Sequence, residues 1–293
     1  MLQSLTSPLP DGVSAFRAGN MDIYVISDGE VPYNKSCFAP GISRNDLNVV
    51  SGSTAEYIKL THNIMVFVRN NRTILIDAGN GSTDTAGGGH LISNLKTIGI
   101  APEDVTDIVL THAHPDHLGG LTDMNQQLTF PMASIYISKA EYDFWQSDTS
   151  DFSKSKNTPQ ALMKIRKNIQ QVLMVIKDKL QFFDEPDLLF GFLQPMAAKG
   201  HTPGHFMFTI NIGNEKFVHM ADICHEDTVL FNRPEWGTIF DIDFDLAAKT
   251  RFNVINGFAT SKELVFGYHM PWPGFGKVMR KGSGFMWEPC SFS

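Results

Sequence analysis

The sequence predicts an α/β fold, in which strands and helices alternate along the chain. β-branched runs over residues 21–28 and 63–77 are typical of strands in a first sheet. A long amphipathic helix is predicted from Pro159 onward. The halves before and after about residue 150 each contain strands followed by a helix, which indicates a duplicated fold.

The long helix has both a start signal and a buried face. Thr158-Pro159 supplies a capping hydroxyl and a proline at the first helical position. Apolar residues then recur at helical spacing, and we expect this stripe to pack against a sheet. The stripe consists of Leu162, Ile165, Ile169, Val172, Leu173, Ile176 and Leu180.

Shorter elements follow from local patterns. Residues 91–98 have a helical pattern that ends at Gly99. Residues 134–138 alternate as a strand and precede a short helix over 139–145. A last long helix is predicted over 245–258.

Length and composition favour one globular enzyme domain. The chain has 293 residues, of which 42% are hydrophobic and 19% are charged. We expect a single domain over residues 1–293, with residues 1–20 as an N-terminal extension. The three cysteines, Cys37, Cys224 and Cys290, lack the spacing of a zinc knuckle or redox motif.

Charge and hydropathy exclude two classes of partner. The formal net charge is −7, from 24 basic and 31 acidic residues, and no basic track for nucleic acid is present. No segment approaches the run of about 18 apolar residues that spans a membrane. The N-terminal residues have neither a basic start nor an apolar core, so we expect no signal peptide and a cytoplasmic location.

The most informative segment is the run Thr111-His112-Ala113-His114-Pro115-Asp116-His117-Leu118-Gly119-Gly120. It places three imidazoles and one carboxylate, which are zinc ligands, within six positions. The preceding residues 107–110 resemble the end of a buried strand, and Pro115 cannot continue it. The run therefore predicts a metal site at a strand end, where α/β folds commonly place chemistry. Four such ligands suit two adjacent ions that share a water molecule.

Three later segments each end an apolar run with one further candidate ligand. His201 follows residues 192–198, Asp222 follows a run that begins at Phe217, and His269 follows residues 264–268. Each of these side chains alone is ordinary. Together, and in this order after the first run, they predict the remaining ligands of one metal site.

These residues resemble the metallo-β-lactamase superfamily, and in particular its dinuclear hydrolases. The segment Leu75-Ile76-Asp77-Ala78-Gly79 also matches the first strand-to-loop motif of that family. The resemblance covers roughly residues 21–275 and implies a four-layer αβ/βα sandwich, with two β-sheets face to face and helices outside. It also implies that Asp77 orients a ligating side chain rather than binding metal.

The same resemblance implies a ligand set for two zinc ions, although other divalent transition metals would also suit it. The implied ligands are His112, His114 and His201 for one ion, Asp116, His117 and His269 for the other, and Asp222 for both.

The resemblance extends to the group of methyl parathion hydrolase and N-acyl homoserine lactonases. The segments that carry this similarity are residues 130–145, 233–236, 240–243 and 269–274. Three functions are open: an N-acyl homoserine lactonase, an organophosphate triester hydrolase and a non-catalytic metal-binding protein. We favour the lactonase because a chain without an export signal suits a substrate that diffuses across membranes. Family analogy also implies a possible homodimer.

The expected mechanism uses a hydroxide that bridges two ions and attacks a lactone carbonyl. Asp116, a ligand with a spare oxygen, is expected to act as the catalytic acid and base. The substrate is a small lactone or ester, so its pocket should be apolar and aromatic. The candidate lining residues are Trp145, Phe206, Met270 and Trp272.

The remaining polar and sulfur-bearing side chains near the motifs receive structural interpretations. Cys224, two residues after Asp222, is interpreted as a small apolar side chain. His205 is interpreted as a support for the turn after His201, and His225 as a neighbour of the ligands. The other histidines, His62, His90 and His219, have no ligand context.

Overall fold

Two β-sheets face each other and helices cover their outer faces, so the predicted four-layer sandwich is confirmed. The computed structural model of the protein describes residues 3–4, 9–81 and 86–290. Within these residues, no helix is both long and apolar enough to cross a membrane.

The first sheet has eight strands that lie side by side in sequence order. Neighbours from β1 to β5 are antiparallel, and neighbours from β5 to β8 are parallel. The strands are β1 (Gln3–Ser4), β2 (Val13–Ala18), β3 (Met21–Asn34), β4 (Tyr57–Arg69), β5 (Arg72–Ile76), β6 (Asp107–Val109), β7 (Ser134–Ser138) and β8 (Leu180–Phe183).

The second sheet has six strands in the order β14-β13-β12-β11-β10-β9. Its one parallel pair joins β11 and β12, and the other pairs are antiparallel. The strands are β9 (Leu193–Ala197), β10 (Phe206–Ile212), β11 (Glu215–His219), β12 (Val265–Phe266), β13 (Phe275–Lys281) and β14 (Gly284–Pro289).

Seven α-helices are found in the described part of the chain. They are α1 (Arg44–Ser51), α2 (Leu91–Thr97), α3 (Pro115–Leu118), α4 (Lys139–Gln146), α5 (Pro159–Ile176), α6 (Val229–Asn232) and α7 (Phe244–Ser261). The helix predicted from Pro159 begins as expected, because the Thr158 hydroxyl accepts the N–H of Ala161.

Three layers of apolar side chains hold the four layers together. Phe67 and Phe208 both lie in the apolar cluster between the sheets. Leu173 of α5 packs on the outer face of the first sheet, and Ile255 of α7 packs on the outer face of the second. All four side chains are buried, and each such burial contributes about 1.5–3 kcal/mol.

Two expected boundaries differ from the structure, whereas the run over residues 63–77 lies in the first sheet as predicted and forms the end of β4 and all of β5. Residues 13–18 are not part of a separate extension, because Val13–Ala18 pairs with Met21–Asn34 inside the first sheet. The division between the sheets lies between Phe183 and Leu193 rather than near residue 150, because β8 still belongs to the first sheet.

Candidate metal centre

Loops at the ends of strands from both sheets bring the seven predicted ligands to one edge of the sandwich. The loops follow β6, β9, β11 and β12. Asp116 is the most exposed of these side chains, with 18% of its surface accessible. The seven residues are His112, His114, Asp116, His117, His201, Asp222 and His269.

The loop after β6 contains a one-turn helix, α3. Pro115 occupies its first position, where its missing N–H leaves no hydrogen bond unmade. The Tyr268 hydroxyl donates to the carbonyl of Asp116 at 2.6 Å. The helical turn thus fixes the backbone that carries Asp116 and His117.

His112, His114 and His201 form the first cluster. Their ligand atoms lie within 4.8 Å of one another. His114 Nδ1 is 2.9 Å from His201 Nε2, and His201 Nε2 is 3.2 Å from His112 Nε2. The structure therefore brings together the three residues predicted to share one ion.

Two of these rings donate a hydrogen bond from Nδ1 to a group outside the cluster, so Nε2 of each ring carries no hydrogen. The Thr111 hydroxyl donates to Asp77, at 2.9 Å from the nearer oxygen, and therefore accepts from Nδ1 of His112 at 3.0 Å. Nδ1 of His201 donates to Asp241 at 2.9 Å. The Nε2 lone pairs of both rings then face each other and repel, unless a cation lies between them. This arrangement fits a metal ion.

His269 and Asp116 belong to the second cluster. Nδ1 of His269 donates to the Thr61 carbonyl at 3.0 Å, so its Nε2 is also bare. That Nε2 lies 3.4 Å from Asp116 Oδ2 and 3.2 Å from Asp222 Oδ2. A nitrogen lone pair facing two carboxylates again fits a cation.

Asp222 lies between the two clusters. Its Oδ2 is 3.5 Å from Nε2 of His201 and 3.9 Å from Nε2 of His112. Its Oδ1 is 3.3 Å from Nε2 of His117, and both of these atoms are buried without a hydrogen bond among the described residues. This position is the one that a carboxylate bridging two ions requires.

The charges of the cluster call for a counter-charge. Burial would raise the pKa of Asp222, but His117 and His269 hold it well below its usual range. Burial would lower the pKa of His269, but Asp222 and Asp116 raise it to about 9. Burial likewise opposes protonation of His117, yet Asp222 and Asp77 raise its pKa well above 6.5. The carboxylates therefore retain protons on these rings unless metal cations take their place.

His62 lies beside the second cluster, where sequence reasoning gave it no ligand context. It groups with Asp116 and His269 by distance. Asn80 Nδ2, anchored to Asp28 at 2.7 Å, donates to Nδ1 of His62 at 2.6 Å. His62 therefore carries its hydrogen on Nε2, which lies 4.0 Å from Asp116 Oδ2. It presents a hydrogen rather than a lone pair, and nothing in its local sequence signals this.

His225 also lies at the centre, as its position three residues after Asp222 suggested. Its Nε2 is 3.4 Å from Asp222 Oδ2, and its ring stacks on His269 at 5.4 Å between centroids. By distance it groups with His201 and Asp222. His225 is therefore adjacent to both clusters.

Glu141, a residue missed by the sequence analysis, joins two ligand loops. Its Oε1 accepts the N–H of Ala113 at 2.9 Å, between two ligands of the first loop. Its Oε2 accepts the Thr202 hydroxyl at 2.6 Å and the N–H of Gly204 at 2.9 Å, just after His201. One fully buried carboxylate thus holds both loops in register.

Gly119 and Gly120 are needed for close backbone approach. A Cβ atom at Gly120 would clash with the Ala78 carbonyl, and one at Gly119 would clash with the Asn80 carbonyl. The loop after β5 can therefore lie directly against α3.

A cavity of about 300 Å³ opens onto the centre. Its lining includes the ligands His114, Asp116, Asp222 and His269. The rest of the lining is mainly apolar or aromatic, with Asn80, Asn157 and Asn168 among its polar residues, and it includes Tyr33, Leu60, Leu162, Ile165, Phe240 and Ile242.

The structure places the four predicted pocket residues outside this lining. Trp145 is buried with its indole N–H donated to Glu141, although its ring contacts His114. Phe206 packs between the sheets, and Met270 packs in the outer core of the second sheet. Trp272 is 39% exposed and lines a neighbouring open cavity. For Phe206, Met270 and Trp272, sequence proximity to a ligand loop did not predict the direction of the side chain.

Two structural interpretations are supported. Cys224 is fully buried in an apolar cluster, and burial raises the pKa of its thiol. His205 donates from Nδ1 to the Ala198 carbonyl at 2.8 Å and accepts the N–H of Asp222 at 3.1 Å. It therefore joins the two ends of the loop that contains His201, including the turn after that residue, and supports the backbone of Asp222.

Comparisons with solved structures show close likeness over nearly the whole chain. AidC, a dizinc quorum-quenching lactonase solved with the product N-hexanoyl-L-homoserine, is 37% identical, with a TM-score of 0.91. The match covers 96% of this chain and 98% of AidC. AbOPH, a hydrolase of the beta lactamase superfamily, is 29% identical with a TM-score of 0.87 over 96% and 98% of the two chains.

Matches to curated proteins are shorter. Metallo-beta-lactamase domain-containing protein 1 of Xenopus laevis is 38% identical over 76 residues, which are 26% of this chain and 27% of that protein. The N-acyl homoserine lactonase AttM of Agrobacterium fabrum (strain C58) is 24% identical over 130 residues, 43% of each chain. These two matches thus span about a quarter and two fifths of the relatives' lengths.

A family model gives the broadest assignment. The model of the metallo-beta-lactamase superfamily matches residues 58–259, which contain six of the seven predicted ligands. The remaining one, His269, lies ten residues beyond the match. The chain therefore belongs to the metallo-beta-lactamase superfamily.

Proposed function

We propose that this protein is a dinuclear zinc hydrolase that opens the lactone ring of N-acyl homoserine lactones. The observation that carries the proposal is the cavity, which joins the candidate metal centre to an apolar wall. Such a cavity suits a substrate with a reactive ester at one end and a hydrocarbon chain at the other. The 37% identity to AidC over nearly the full length supports the same substrate class.

Zinc is favoured by the donor set. Five imidazoles and two carboxylates converge within the centre, and nitrogen with oxygen ligands suits zinc. AidC is itself a dizinc enzyme. When bound, two zinc ions would polarise the substrate carbonyl and lower the pKa of water.

The residues of the chain supply orientation and proton transfer. Asp116 faces the cavity, and His117 and His269 hold its carboxyl pKa well below the usual range although burial opposes this. It is therefore ionised at neutral pH, and its place in the cavity lining allows it to take up a proton from the attacking water. When the ring C–O bond breaks, Asp116 returns that proton to the ring oxygen, which leaves as an alcohol.

The lactone assignment is tested by direct competition between substrate classes. Zinc-loaded protein is assayed on N-hexanoyl homoserine lactone and on a dialkyl aryl phosphotriester, and kcat/KM is measured for both. We expect the lactone to be favoured and the activity to disappear on chelation and return with zinc. A higher kcat/KM for the phosphotriester would reverse the assignment to the alternative function.

The metal set is tested separately from activity. Replacement of the bridging carboxylate, Asp222→Ala, should lower bound zinc from two ions per chain, as measured by elemental analysis. His90→Ala is the control, because His90 is exposed and does not line the cavity. Retention of two zinc ions by Asp222→Ala would contradict the bridging role.

A further inference from the structure

The phenol of Tyr33 lies in the cavity wall next to the candidate ligands. It shares the lining with Asp116 and His269, and it comes from the end of β3, which carries no predicted ligand. Its ring lies nearly parallel to that of His62, at 6.4 Å and 27°, and contacts the edge of Phe240 at 5.5 Å. These contacts hold the ring in one orientation.

Among the residues that the structure describes, the Tyr33 hydroxyl has no hydrogen-bond partner. The phenol of Tyr268 differs, because it is committed to the Asp116 carbonyl. Burial, followed by the charges of Asp116 and Asp222, raises the pKa of Tyr33 above its ordinary value. The hydroxyl is therefore a fixed and available donor at the working pH of a hydrolase.

We propose that Tyr33 is a catalytic residue that donates a hydrogen bond to the reacting carbonyl oxygen of the substrate. This inference rests on the proposed lactone hydrolysis. Water attacks the carbonyl carbon, negative charge grows on the carbonyl oxygen, and the ring C–O bond then breaks. A donor fixed beside that oxygen stabilises the charged state more than the ground state. Tyr33 itself neither gains nor loses a proton.

The carbonyl is favoured over the amide of the acyl chain because of where Tyr33 lies. Tyr33 lines the cavity together with Asp116 and Asp222, and its ring stacks on His62, whose Nε2 lies 4.0 Å from Asp116 Oδ2. The apolar part of the lining, which includes Leu162 and Ile165 of α5, is where a hydrocarbon chain would pack. The reacting end of the substrate is thus the end that meets Tyr33.

The test removes only the oxygen atom, with Tyr33→Phe, and uses Tyr24→Phe on the same strand as the matched control. Zinc-loaded proteins are assayed on N-hexanoyl homoserine lactone and on an alkyl γ-lactone that lacks the amide. We expect Tyr33→Phe to lower kcat by about 10- to 100-fold on both lactones, with less than about a threefold change in KM. Zinc content and Tm should be unchanged, because the hydroxyl stabilises nothing in the free protein.

Several results would overturn the inference. They are an unchanged kcat, a change in KM alone, a loss confined to the amide-bearing lactone, or a fall in Tm or zinc content that shows a structural role. Wild-type protein that is inactive on both lactones would instead contradict the proposed function. In that case p-nitrophenyl acetate, a simple carbonyl ester, decides the role of Tyr33 by the same kcat comparison.

Discussion

Two buried carboxylates orient ligand histidines on opposite sides of the centre, and they are stabilised differently. Asp77, after β5 of the first sheet, accepts Nδ1–H of His117 at 2.8 Å. Asp241, which lies between α6 and α7, accepts Nδ1–H of His201 at 2.9 Å. Each bond leaves Nε2 of the ring free to bind a metal ion.

The two carboxylates differ in the charge of the groups that donate hydrogen bonds to them. Arg251 of α7 donates to Asp241 at 3.1 Å, and this cation holds the Asp241 pKa well below its usual range against the effect of burial. Asp77 is met by the N–H and hydroxyl of Thr111 instead, and burial raises its pKa. One side is thus neutralised by a permanent charge, and the other depends on neutral donors and on the charge of His117 itself.

The largest expected effect follows from removing the permanent charge. Arg251→Met leaves Asp241 buried without its cation and also removes hydrogen bonds to the carbonyls of Ile223 and Trp236. We expect a loss of about 3–5 kcal/mol in the free energy of unfolding, measured by urea denaturation. Arg251→Lys is the control, and it should lose less because the charge is retained. Equal losses in the two variants would show that packing, not charge, stabilises this side.

The second prediction concerns pH and the metal-free protein, prepared by chelation. Opposing burial, Asp222 and Asp116 raise the pKa of His269 to about 9, above the unfolded value of about 6.5. Its contribution to stability is therefore complete below pH 6.5 and is lost as pH rises to about 9, by at most ~3 kcal/mol. Burial lowers the pKa of His114 and His205 to about 3, so their contribution is lost as pH falls from 6.5 toward 3.

Metal-free protein should thus be most stable near pH 6.5, as measured by urea denaturation across a pH series. Zinc-loaded protein should keep its stability up to pH 9, because bound cations replace the protons on His269 and His117. A metal-free protein whose stability does not fall between pH 6.5 and 9 would contradict the counter-charge argument.

Most of the candidate ligands could be located from sequence because each ligand-bearing loop follows an apolar strand. His112, His201 and Asp222 are examples, and α/β geometry places such strand ends at one edge. The fold class was also predictable, since the strand and helix patterns are strongly periodic. Local order along the chain was sufficient for these two predictions, whereas the sandwich architecture and the division of the ligands between two ions came from the family resemblance.

The supporting residues could not be predicted, because their partners are distant in sequence. Asp241 lies 40 residues from His201, and Glu141 lies 28 residues from Ala113. Tyr33 reaches the cavity only because β3 pairs with β4 and its ring meets His62. Phe206 was predicted to line the substrate pocket because it lies next to a ligand loop. Its side chain points between the sheets instead, and local sequence does not indicate that direction.

The third prediction separates the two carboxylates directly. Asp77→Asn and Asp241→Asn should each weaken zinc affinity by about 10- to 100-fold. The reason is that Nδ1–H of His117 or of His201, respectively, loses its charged acceptor. Asp241→Asn should also lower the free energy of unfolding more, since it leaves Arg251 buried without its anion. Zinc affinity is measured by competition with a chelator. A larger loss of stability in Asp77→Asn would reverse the comparison.

The smallest expected effect tests the neutral donor on the Asp77 side. Thr111→Val preserves shape but removes the hydroxyl that donates to Asp77 and accepts from His112, while the backbone N–H of residue 111 still reaches Asp77. We expect a loss of about 1 kcal/mol in unfolding free energy and a fall in zinc affinity smaller than that of Asp77→Asn. Thr209→Val is the matched control, because the hydroxyl of this buried residue is bonded, among the described residues, to the weakly accepting sulfur of Met196 alone. If both valine variants lose the same free energy of unfolding, the Thr111 hydroxyl does not maintain the charge of Asp77. The two sides of the centre then differ only in Arg251.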